Sequence, residues 1–91
     1  NQSIAIGVGA GSNSTVNTGS SDYNIALGTE AGANLTGNQN ISIGYGSNKT
    51  STSAVQNSVA IGSATYTESL GVSVGTRASA AQGGVALGYD S

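Results

Sequence analysis

The sequence predicts an all-β chain: a flattened parallel β-roll solenoid of about six rungs with two short strands each. Three observations predict it. First, a pattern of polar or Gly, aliphatic, small, aliphatic, Gly recurs six times in 91 residues, and a fixed internal repeat means a stack of equivalent units. Second, the two aliphatics of each copy stand at i and i+2, the strand period, which puts both on one face. Third, Gly and β-branched residues dominate and no 3.6-residue apolar stripe survives alignment of the copies. The best helical candidate, Thr29 to Leu35, carries Gly32 at its centre, which costs a helix about 1 kcal/mol relative to Ala.

The fullest copy is Asn57-Ser58-Val59-Ala60-Ile61-Gly62. The others are Ser3-Ile4-Ala5-Ile6-Gly7, Asn24-Ile25-Ala26-Leu27-Gly28, Asn40-Ile41-Ser42-Ile43-Gly44, Gly71-Val72-Ser73-Val74-Gly75 and Gly84-Val85-Ala86-Leu87-Gly88. The closing glycines Gly7, Gly28, Gly44, Gly62, Gly75 and Gly88 are read as turn glycines that admit positive φ where the chain reverses. Their spacings are 21, 16, 18, 13 and 13 residues. Thirteen is the minimal unit, so the first three intervals carry insertions of 8, 3 and 5 residues. A unit this short has room for two strands and two tight turns.

A second pattern follows each glycine. Ala10, Ala31, Ser47, Thr65, Ala78 and Ser91 lie three residues on, and Ser12, Ala33, Lys49, Thr67 and Ala80 lie five on. This reads as the second strand, with its small residues inward and the mixed residues between them outward. The insertions are polar loops, the longest being Asn13 to Tyr23. In a stack they emerge along one edge, where solenoids carry recognition.

The structural core is assigned to Ile4, Ile6, Ile25, Leu27, Ile41, Ile43, Val59, Ile61, Val72, Val74, Val85 and Leu87. Each contributes about 1.5–3 kcal/mol when fully buried. No aromatic core, disulfide or His/Cys metal site supports this set, because Cys, His, Trp, Phe and Pro are absent. The residue between each aliphatic pair is always Ala or Ser. A solvent face would draw longer polar side chains, so Ala5, Ala26, Ser42, Ala60, Ser73 and Ala86 are assigned to the contact between copies in a homo-oligomer.

Composition narrows the function. Charged residues make up 7% of the chain and the net charge is −2, against a basic nucleic-acid footprint and against attraction to anionic lipid. No apolar run reaches the roughly 20 residues of a membrane-spanning helix, so no direct membrane insertion by this segment is expected. With no Met, even at position 1, the chain is expected to be a single domain, 1–91, cut or processed from a longer fibrous protein. No catalytic residues, metal ligands or cofactor are assigned. Asp22, Glu30, Glu68 and Asp90 do not recur at a repeat-locked offset, and a Ser nucleophile lacks its commonest base. Gly7-Val8-Gly9-Ala10-Gly11 reads as turn glycines rather than a phosphate loop, since no helix follows. Thr50-Ser51-Thr52 and Thr65-Tyr66-Thr67 do not repeat rung after rung, as an ice-matching array requires.

Candidate contact residues are Asn13, Asp22 and Tyr23 in the longest loop. Tyr45 and Tyr89, each directly after a repeat glycine, are placed at a turn or subunit seam. Lys49 and Arg77, the only cations, are read as solvated or ion-paired. Asn1, Asn13, Asn34, Asn40 and Asn48 begin N-x-S/T sequons, and Asn40, bordering a strand, is a poor acceptor.

The copies resemble the head repeat of YadA-like trimeric autotransporter adhesins, N-S-V-A-I-G-x-x-S/A-x-A. Asn57 to Gly62 matches its first six positions, with Thr65 where Ser or Ala is usual. Val72-Ser73-Val74-Gly75-Thr76-Arg77-Ala78-Ser79-Ala80 matches the second half better. The resemblance implies a left-handed roll, a side-by-side homotrimer and display outside the cell on a bacterial surface. It implies attachment to host extracellular matrix or to a cell-surface protein or glycan, in an adhesin rather than an enzyme. The long spacings and linkers such as Leu35-Thr36-Gly37-Asn38-Gln39-Asn40 also resemble β-roll repeats of bacteriophage tail fibres, which implies a virion location and a bacterial surface receptor.

Overall fold

The structure, a computed structural model, describes residues 4–11, 23–33, 37–49 and 55–91. Each aliphatic–small–aliphatic triplet forms a strand: β1 (Ile4–Ile6), β2 (Ile25–Leu27), β3 (Ile41–Ile43), β4 (Val59–Ile61), β6 (Val72–Val74) and β8 (Val85–Leu87). Between the last three lie β5 (Tyr66–Thr67) and β7 (Ser79–Ala80). The triplets pair in parallel in the order β1-β2-β3-β4-β6-β8, and equivalent residues face each other at every step, as in Ile43↔Ile61 and Ile61↔Val74. β-Branched side chains suit this pleated surface. The molecule is an all-β parallel solenoid.

The second wall is less regular than expected. Only β5 and β7 pair there, Tyr66↔Ser79 and Thr67↔Ala80, so two strands per rung hold at two levels and not at all six. At the earlier levels this side is a turn: Gly11, Gly32 and Asn48 stand where Tyr66 and Ser79 are extended, and all three have positive φ, at 70°, 59° and 51°. The levels stay joined there by single backbone bonds: Gly11 N donates to Ala31 O (2.9 Å), Gly32 N to Ser47 O (2.8 Å) and Asn48 N to Thr65 O (2.7 Å).

The repeat glycines stack in one column at φ between +110° and +129°. A Cβ on Gly62 would lie 2.8 Å from the carbonyl carbon and oxygen of Gly75. That close approach is what lets the levels nest.

The structure reverses the two faces of the main sheet. Ala26, Ser42, Ala60, Ser73 and Ala86 are buried, with Ala60 at 0% exposure, and Ala5 is half-buried. They point into the coil rather than toward another copy. None of the twelve aliphatics is buried: eight are half-buried, and Ile4, Ile6, Val85 and Leu87 are exposed. The reason is the thinness of the coil. Ser73 Oγ donates to Tyr66 O at 3.0 Å, and Thr67 Oγ1 to Val59 O at 3.3 Å, so two-atom side chains already span the gap between the walls. Ile or Leu does not fit there. The interior is filled mainly by Ala, Ser, Thr and Asn, with Val55 the one larger aliphatic buried among the described residues and with Ala78, Ala80 and Ala86 clustered together.

A polar core must be hydrogen-bonded, and this one largely is. Asn24 Oδ1 accepts from Asn40 N (2.8 Å), and Asn40 Oδ1 accepts from both Ser58 N (3.1 Å) and Ser58 Oγ (2.9 Å). Asn24 Nδ2 donates to Gly37 O (2.9 Å) and Asn40 Nδ2 to Val55 O (2.6 Å). These side chains tie the re-entry points of the two inserted segments to the stack. Asn48 Oδ1 accepts from Thr67 N at 2.8 Å. Three buried atoms at the β3 level have no partner: Ser42 Oγ, Ser47 Oγ and Asn48 Nδ2. Ala occupies the place of Ser42 at the levels above and below, so Ser42→Ala is expected to raise stability by about 1 kcal/mol, read as an increased melting temperature.

Candidate functional site

With the small residues turned inward, the outer face of the six-stranded sheet becomes the distinctive surface of the chain. Ile4, Ile25, Ile41, Val59, Val72 and Val85 form one column, and Ile6, Leu27, Ile43, Ile61, Val74 and Leu87 form the other. No charged or polar residue interrupts either column. The middle levels are half-buried because neighbours above and below cover them. The ends are open, Ile6 at 63% and Val85 at 68%.

The corner following the strands carries three of the charged residues, whereas Glu68 lies between β5 and β6. Glu30, Arg77 and Asp90 occupy the second position after their glycines, with φ of 59° to 60°. Lys49 Nζ donates to Glu30 Oε1 at 2.8 Å. That hydrogen bond, and then the carboxylate charge, raise the Lys49 pKa above the ordinary lysine value. The pair's contribution is therefore complete below the ordinary lysine pKa and is lost only as pH rises through the raised one. Arg77 lies 3.6 Å from the Asp90 carboxylate, donates to the Tyr89 hydroxyl at 2.6 Å and sits 5.0 Å from that ring's centroid. Both cations are ion-paired within the chain. Tyr45 and Tyr89 stand exposed at this corner, at 62% and 70%.

Among the described residues, the corner preceding the strands is uncharged at its two outermost positions. Tyr23, Gln39, Asn57, Leu70 and Gly83 are equivalent there, two residues before their strands, with φ between 55° and 71°. All are exposed. Tyr23 is the one predicted contact residue that the structure describes, 55% exposed; Asn13 and Asp22 lie outside the described residues. The mixed side-chain types along both corners gave the sequence reading no sign of these left-handed positions.

Other sequence readings resolve as follows. Residues 8–11 form a turn with Val8 81% exposed. Thr65 and Thr67 are buried, so they present no outward Thr ladder, and Thr50 to Thr52 lie outside the described residues. Asn40 and Asn48 are both 0% exposed and closed to glycosylation as folded. Among the described residues no cavity is present, no three acidic side chains gather, and no helix is long and apolar enough to cross a membrane. No family model, curated protein or solved structure matches the chain.

Proposed function

We propose that this chain is a structural and adhesive segment of a trimeric fibre at a bacterial cell surface, attaching to host matrix or cell-surface molecules. The observation that carries it is the pair of unbroken aliphatic columns on the outer sheet face. Packing that face against other copies removes it from water, at about 25 cal/mol per Å² of apolar area buried. The number three, and the left hand of the coil, rest on the resemblance of Asn57–Gly62 and its copies to the adhesin head repeat. Three parallel chains present identical corners at each level, so weak single contacts gain avidity.

The insertions of 8, 3 and 5 residues and the Asn/Thr/Gly linkers favour a second reading, a bacteriophage tail-fibre segment that binds a bacterial surface receptor. Both readings need the assembly. Native mass spectrometry at micromolar concentration tests it: a species of three chains is expected, and a single chain contradicts both. Binding of that species to immobilised matrix protein, compared with binding to whole bacteria, separates the two.

A further inference from the structure

The corner preceding the strands carries a feature that neither the fold nor the assembly uses. Gln39, Gln56, Asn57 and Gln82 are exposed there, and among the described residues their side-chain amides have no hydrogen-bond partner. Tyr23 and Leu70, at 55% and 60% exposure, stand on the same edge. Backbone bonds hold the levels in place: Asn57 N to Asn38 O (3.0 Å), Leu70 N to Gln56 O (2.9 Å) and Gly83 N to Ser69 O (3.0 Å).

We propose that this edge binds a neutral, extended polysaccharide laid along the solenoid axis. An amide both donates and accepts, as a sugar hydroxyl does, and none of these six side chains is charged, so none of them offers an ion pair to a charged ligand. Successive levels are about 4.8 Å apart, close to the advance of one sugar residue in an extended 1,4-β-linked chain. The Tyr23 ring and the Leu70 side chain supply apolar faces for the C–H surface of a sugar. Tyr23, Gln39 and Leu70 hold φ of 63°, 60° and 65°, a conformation that disfavours bulky residues. The edge lies beside the aliphatic columns and not on them, so it is distinct from the face proposed for assembly. The inference deepens the attachment reading and rests on it only for avidity.

The test titrates the 91-residue chain with cellohexaose, with maltohexaose as a curved neutral chain, and with hexagalacturonate as an anionic one, by calorimetry or NMR. Cellohexaose is expected to bind with millimolar affinity, and the other two about tenfold more weakly. Tyr23→Asn suits the left-handed backbone better than Tyr, so it should raise the melting temperature while weakening cellohexaose about tenfold. The double change Gln56→Ala with Gln82→Ala should weaken it by a similar factor, and Glu30→Ala with Lys49→Ala at the opposite corner should leave it unchanged. The proposal is overturned if cellohexaose does not bind at roughly 10 mM, if hexagalacturonate or maltohexaose binds as well, or if the corner variants bind like the parent chain. Native mass of the same samples keeps the two ideas apart. A trimer indifferent to cellohexaose sinks this inference alone. A single chain that binds it sinks the trimer and leaves this inference standing.

Discussion

Gly62→Ala is expected to cost roughly 2–6 kcal/mol of folding stability, a large share of the ~5–15 kcal/mol typical of a domain. Two effects add. At φ +125° the backbone lies where essentially only glycine is comfortable, which costs any other residue about 1–3 kcal/mol. The new Cβ would also stand 2.8 Å from the Gly75 carbonyl. That neighbour is backbone held by the sheet, so it cannot swing aside, and overpacking of this kind costs about 1–3 kcal/mol more. For a chain of this size the melting temperature should fall by roughly 15 °C or more. Gly88→Ala is the matched control: its φ is +110°, yet nothing lies within 4 Å of the added atom. It should lose only the backbone part. Equal losses at the two positions would show that stacking of the glycine column is not what limits the repeat.

Ile43→Asp should abolish assembly. Ile43 sits in the middle of the second aliphatic column, between Leu27 and Ile61, and is half-buried in the single chain. In a three-chain assembly the change removes three such side chains, each contributing about 1.5–3 kcal/mol on full burial, and places three carboxylates where their repulsion and desolvation oppose contact. Native mass should shift from three chains to one. A conservative Ile43→Val change, by contrast, should keep the assembly. If Ile43→Asp still assembles, the copies meet through some other surface.

Much of this architecture was legible in the sequence, and the part that was not has a physical reason. Alignment of the repeats gave the pairing of the main sheet residue for residue, from Ile4↔Ile25 to Val74↔Leu87. It also gave the positive-φ glycines. Period-two alternation defines two faces but not which one is interior, and the rule that large apolar residues lie inside then pointed the wrong way. The spacing of the walls decided the matter. Ala78 and Ala80 on the second wall are buried, and the main sheet meets such short residues only by presenting its own short ones, Ala60, Ser73 and Ala86. Small residues in both patterns were the available sign that the interior is thin. The second wall fails to form strands where Gly11, Gly32 and Asn48 take left-handed backbone in place of the extended Tyr66 and Ser79. The Asn24–Asn40–Ser58 ladder was visible only as a polar position before each strand, because nothing in the spacing says that an amide reaches the next level. Of the proposed binding edge, Tyr23 was read directly; its amide neighbours emerge only when the coil brings residues 39, 56, 57 and 82 onto one line.

The central claim is that the short side chains line the coil while the aliphatic ones form its outer, copy-joining face. Thiol labelling of two single variants, Ser73→Cys and Val74→Cys, tests it most directly, since the positions are adjacent and each change is close in size. Cys at 73 is expected to resist the reagent at every protein concentration. Cys at 74 is expected to react in dilute solution and become protected as chains assemble. A reactive Cys at 73 beside a Cys at 74 that is shielded even at high dilution would contradict the account.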